Sequence, residues 1–190
     1  MFQNNRYNRG LFVYTKEQFE LFLLFRKLWE QHSTWTRAAI VSLVFDLPDQ
    51  DVVINRLLRN PTDFKETFIP FFGVEDATEF EKLLTDHLVL AAQIIQATKA
   101  GDSEGAAQAE KMWYDNGNEI AAFLGRVNPY WSEAQWRLMM REHLDLVKAE
   151  ATYMLTGQYD KSVSVYDTIE QQASMMADEM AYGLIRQFRI

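Results

Sequence analysis

Three histidines stand in the chain, at positions 32, 87 and 143, and the intervals of 55 and 56 residues between them limit the fold more than any other feature. A near-constant period of that length is the mark of a repeated supersecondary unit, and two helices with a turn fill it. Each histidine lies on an apolar stripe of helical period. The first stripe runs Phe22, Phe25, Leu28/Trp29, His32, Trp35/Thr36, Ala39/Ile40, Leu43. The second runs Phe80, Leu83/Leu84, His87, Leu90/Ala91, Ile94, and the third Trp136, Met139/Met140, His143, Leu146/Val147, Glu150, Met154. Each histidine also lies 14 residues before a stop signal, at Asp46, Gly101 or Gly157. Pro48 sets the first stop, because proline disfavours helix in the residue before it. The two glycines are natural helix C-terminal residues.

Start signals complete the pattern. Thr15-x-x-Gln18, Asp76-x-x-Glu79 and Ser132-x-x-Gln135 read as capping boxes or related N-terminal signals ahead of the three stripes. Asp49 and Asp102 can cap the return helices, and Asn60-Pro61 reads as a break or kink in the first of them. Pro70 and Gly73 end the first unit, and the last return helix opens near Tyr159. No period-2 pattern of strand length competes. The expectation is an all-α chain, a six-helix bundle of three antiparallel hairpins over about 15–72, 76–126 and 131–188, forming one domain over 15–190 after a flexible segment 1–14.

Counting outward from the hairpin turns gives each histidine a partner. Asn116 lies 15 residues after Gly101 and Gln172 lies 15 after Gly157. Both arms of a hairpin rise equally per residue, so these amides stand level with His87 and His143. Asn60, 28 residues after His32, takes the same place in the first unit. A layer of six polar side chains is therefore expected inside an apolar bundle, where polar groups need hydrogen-bond partners. Three readings of the layer stay open. It can be a hydrogen-bonded network that only fixes helix register. It can be a metal site, with His32, His87 and His143 converging on a Zn, Fe or Cu ion and Glu150 or Asp178 adding an oxygen ligand. It can hold a small polar ligand on Asn60, Asn116 and Gln172.

Composition narrows the field. Hydrophobic residues at 48% and aromatics at 14% supply a substantial core, and a net charge of −8 argues against a nucleic-acid partner. With no cysteine, disulfides, thiolate metal sites and a cysteine nucleophile are excluded. The segment Met1–Gly10 lacks the apolar core of a signal peptide, and no apolar run reaches membrane-spanning length. A cytoplasmic protein is expected, with homo-oligomerisation left open. Glu-x-x-His pairs, His-Glu-x-x-His, a phosphate loop and a Gly-x-Ser-x-Gly elbow are all absent, which leans the chain away from enzymes. Trp29, Trp35, Met139, Met140, Met175 and Met176 read as core filling.

The segments Leu-Trp-Glu-Gln-His (28–32), Leu-Leu-Arg-Asn (57–60), Ala-Gly-Asp (100–102), Asn-Pro-Tyr-Trp (128–131) and Gly-Leu-Ile-Arg-Gln-Phe (183–188) resemble an uncharacterised family of small bacterial helical proteins. Its members often carry the borrowed names acetylglutamate kinase or glycosyltransferase. The resemblance covers nearly the whole chain beyond the first 15 or so residues. It implies the helical fold and a bacterial source, and no established activity; no strand–helix alternation or nucleotide loop supports either name.

Overall fold

The structure, a computed structural model, describes residues 14–190 and is all-helical there. Met1–Gly10, expected not to be a signal peptide, and nearly all of the expected flexible segment 1–14 lie outside the described residues. Five helices follow in order: α1 (Lys16–Val44), α2 (Gln50–Ala100), α3 (Ser103–Val127), α4 (Glu133–Leu155) and α5 (Tyr159–Phe188). Their starts obey local chemistry. The Thr15 hydroxyl accepts from the Gln18 backbone N–H while the Gln18 side chain accepts from the Thr15 N–H. Asp102 and Ser132 accept from the N–H groups of Gly105 and Gln135. Gly101 and Gly157 sit at positive φ, 73° and 71°, where a β-carbon would be strained.

Five helices replace the expected six because helical structure runs from Gln50 to Ala100 with one non-helical residue, Gly73 (φ 81°, ψ 175°). That conformation is open in practice to glycine alone. The element bends sharply there. The Thr62 hydroxyl donates to Glu81 at 2.8 Å, and the rings of Phe64 and Phe80 are 5.7 Å apart. Sixteen residues of straight helix would hold Phe64 and Phe80 about 24 Å apart. Three local expectations are corrected. Asn60 and Pro61 remain helical, both buried, with the Asn60 amide tied to α1. Helix resumes directly after the break at Gly73, two residues before Asp76, and the carboxylates of Asp76 and Glu79 receive the guanidinium of Arg126 on α3. Asp49 caps nothing with its side chain, which accepts from the Ser42 hydroxyl instead.

The packing is cyclic: α1 lies against α2, α2 against α3, α3 against α4, α4 against α5, and α5 returns to α1. The closing α1–α5 seam carries the bidentate Arg26–Asp178 pair, with nitrogen–oxygen distances of 2.7 and 2.6 Å. Inside the ring, Phe25, Phe64, Phe68, Phe80, Trp136, Met176 and Leu184 are almost wholly removed from solvent. Met175, expected in the core, is 57% exposed on the outer face of α5, one residue out of register with buried Met176. Among the described residues no helix is long and apolar enough to cross a membrane.

Candidate metal centre

The six polar side chains of the expected layer are all buried: His32, Asn60, His87, Asn116, His143 and Gln172. Their hydrogen bonds follow one pattern three times. Nδ1 of His32 lies 3.1 Å from Asn60 Oδ1, Nδ1 of His87 lies 3.1 Å from Asn116 Oδ1, and Nδ1 of His143 lies 3.3 Å from Gln172 Oε1. Each amide nitrogen donates to the backbone carbonyl four residues before its histidine, at Leu28, Leu83 and Met139, over 3.0–3.1 Å.

This pattern decides the tautomer. The amide nitrogen must face a carbonyl, so the amide oxygen faces the imidazole and accepts from it. Nδ1 is then the protonated nitrogen of each neutral ring, and Nε2 keeps its lone pair. Burial holds the rings neutral: it lowers His32 to about 4 and His143 to about 3, and drives His87 well below the ordinary value of 6.5. Metal-binding histidines show this same division, one nitrogen fixed by an outer acceptor and the other presented to the ion.

The three rings converge. Their centroids are 5.7 Å apart for His32–His143, 6.0 Å for His87–His143 and 6.3 Å for His32–His87. One ring nitrogen from each lies within 4.8 Å of the other two. Atoms so spaced lie at most about 2.8 Å from a common centre, against about 2.0–2.1 Å for a zinc–imidazole bond. Closure onto an ion therefore needs less than about 1 Å of movement per ring. Beside the rings is a cavity of about 10 Å³, which is room for one water-sized particle and no larger ligand. Its other walls are apolar or thioether: Trp29, Leu84 and Met140, each three residues before a histidine; Phe80 and Trp136, seven before; and Ile120, Leu124 and Met180 from the return helices. The Trp29 indole N–H donates to the Met180 sulfur at 3.5 Å.

The carboxylates expected as oxygen ligands sit elsewhere. Glu150 is buried, but its carboxylate pairs with Arg37 of α1, whose guanidinium also reaches Ser162 and lies over the Tyr166 ring. Burial pushes the Glu150 carboxyl up to about 7 against the pull of Arg37. Asp178 is held by Arg26 at the α1–α5 seam. The metal-competent group among the described residues is the three histidines alone. Asn60, Asn116 and Gln172 do not line the cavity; their hydrogen bonds go to the imidazoles and to backbone carbonyls. The sequence reading missed the cavity walls, although stepping back three and seven residues from each histidine finds five of them. It also missed Arg37, for which no local signal exists.

No protein-family model, curated protein or solved structure matches the chain.

Proposed function

We propose that this chain is a metal-binding helical bundle in which Nε2 of His32, His87 and His143 holds one transition-metal ion. The observation that carries the reading is the threefold hydrogen-bond pattern, which protonates every Nδ1 and leaves Nε2 its lone pair, on three rings that bring one nitrogen each within 4.8 Å of the other two. Among zinc, iron and copper, the surroundings favour copper as Cu(I). The desolvation cost of an ion rises with the square of its charge, and no carboxylate is present to offset a second charge. Neutral imidazoles and nearby thioethers also suit a soft monovalent ion.

The finer architecture supports the same reading. Taking the sharp bend at Gly73 as a turn gives six helical arms in three hairpins, each with one histidine clamped by one amide. A cytoplasmic location and a non-catalytic binding role complete the proposal; the resemblance to small bacterial helical proteins implies the fold alone. The net charge of −8 accords with the absence of a nucleic-acid partner.

The test is metal analysis of the purified protein, followed by titration of the apoprotein with Cu(I) under anaerobic reduction and separately with Zn(II) and Fe(II). The expected result is one equivalent bound through the histidines. At a hundredfold excess over Kd, binding adds about 2.7 kcal/mol, a rise in Tm of about 5–10 °C. No bound metal and no shift with any of these ions sinks the proposal. The competing reading is a layer that only fixes helix register, favoured by the fact that every imidazole already has a protein partner. Under it, His87→Asn changes stability and no metal binds wild type.

A further inference from the structure

The second concavity of the molecule is far larger. It has a volume of about 660 Å³, within the range of pockets that enclose drug-sized ligands. Its position follows from the helical period. Thr36, Ala91 and Val147, each four residues after a histidine, line it, and Ile40, Ile95 and Ala151 do so one turn further on. The chamber therefore begins about 6 Å along the bundle from the imidazole layer. It continues past Gly101 toward exposed Ser103 and Thr156 at the turn end. Its cause is composition. Ala39, Ala91, Ala92, Ala106, Ala107 and Ala151 line it from four helices, where larger side chains would fill the space.

The lining identifies the class of occupant. The charged side chains in the wall, Glu110 and Lys148, are paired with each other. No free charge in the lining awaits an ionised head group, and the net charge of −8 repels anions. Behind the inner wall, two groups lack a hydrogen-bond partner among the described residues, the Thr36 hydroxyl and the indole N–H of Trp113, and both are closed off from the chamber as the side chains stand. Trp113 is 2% exposed, and its ring leans on His87 with centroids 5.4 Å apart. Buried donors left unpaired are costly, and rotation of Thr36 about χ1 would present its hydroxyl to an acceptor.

We infer that this chamber binds an uncharged lipophile carrying a carbonyl oxygen, body among the alanines and oxygen toward the rotated Thr36 hydroxyl. The site stands whether or not the histidines hold a metal. The test uses the full chain without added metal, titrated with the neutral fluorescent probe N-phenyl-1-naphthylamine. The expected result is saturable binding of one probe per chain, displaced by 2-tridecanone at least tenfold more effectively than by dodecanoate at pH 8. Ala91→Phe and Ala151→Phe should each weaken probe binding at least tenfold while the helical circular dichroism is kept. Should either fail to fold, Ala151→Val should still weaken the probe and Thr36→Val should weaken displacement by 2-tridecanone. Absence of saturable binding, unchanged binding in folded filled variants, or equal displacement by dodecanoate overturns the inference.

Discussion

A buried imidazole that cannot take up a proton links the candidate site to acid stability. In the fold the three histidines titrate near 4, near 3 and well below 6.5, whereas in the unfolded chain they return to about 6.5. Unfolded chain binds more protons over that interval, so the stabilisation is whole above pH 6.5 and is lost as pH falls through the folded values. Each histidine removes up to about 1.4 kcal/mol per pH unit. Glu150 acts in the opposite sense: raised to about 7, it favours the fold below the ordinary carboxyl range and opposes it as pH rises through 7. Urea unfolding of the apoprotein from pH 7.5 to 4.5 should show stability declining toward acid, less steeply in His143→Gln. Parallel slopes in the two proteins would contradict the assignment. Metal affinity should stay flat from pH 7.5 to about 5, since neutral rings have no proton to release. The amides give a second prediction. Asn116→Leu frees His87 Nδ1 and removes the clamp to Leu83, at about 1–3 kcal/mol in stability and about 10–100-fold in metal affinity. A variant that binds metal as tightly as wild type, by competition titration, would show that the amide does not orient the ring. The six polar residues were legible because equal rise on two arms turns residue counting into height. The pairing of Glu150 and Asp178 is not legible in the sequence, because their partners, Arg37 and Arg26, lie 113 and 152 residues away and only the closed ring brings them near.

Helices record which local signals tertiary packing overrides. Thr15, Asp102 and Ser132 start helices as their sequences say, but Asp76-x-x-Glu79 has the same spelling and lies inside α2. Its carboxylates serve Arg126, an arrangement that depends on a helix 50 residues on. Pro61 likewise stays helical because Asn60 beside it is pinned to α1. Two glycines separate backbone demand from space. At Gly73 nothing crowds a β-carbon, but φ is 81°, so Gly73→Ala should cost about 1–3 kcal/mol through strain alone. Gly183 has the reverse problem. Alanine normally adds about 1 kcal/mol to a helix interior. Here its β-carbon would stand 1.8 Å from the Trp131 indole nitrogen, which donates to the Glu179 carbonyl. Gly183→Ala should therefore destabilise, and a rise in its urea midpoint would refute the close packing.

At the scale of the molecule, the histidines tie together elements that the chain keeps apart. They come from α1, from residues 74–100 of α2 and from α4, so an ion among them joins three segments at once. Metal loading should raise a single cooperative transition, with tryptophan emission and helical signal melting together in both apo and loaded protein. A loaded protein in which one signal melts first would show that the ion braces only part of the bundle. The sequence could name the arms but not their order around the ring, because neither period nor capping reports which helices become neighbours.

Closure of that ring also brings the two ends of the described chain together. Gln18 Nε2 donates to the Ile190 carbonyl at 2.8 Å, and the hydroxyls of Tyr14 and Tyr182 are 2.7 Å apart. The connectivity of the polypeptide is thus separable from the architecture it builds. A circular permutant with its ends linked and a new opening at Gly157 crosses no helix and severs no clamp. It should fold with all three imidazoles in place and, under the metal proposal, bind an ion as the parent does; the order of the arms along the chain would then be an accident of where the ring was cut.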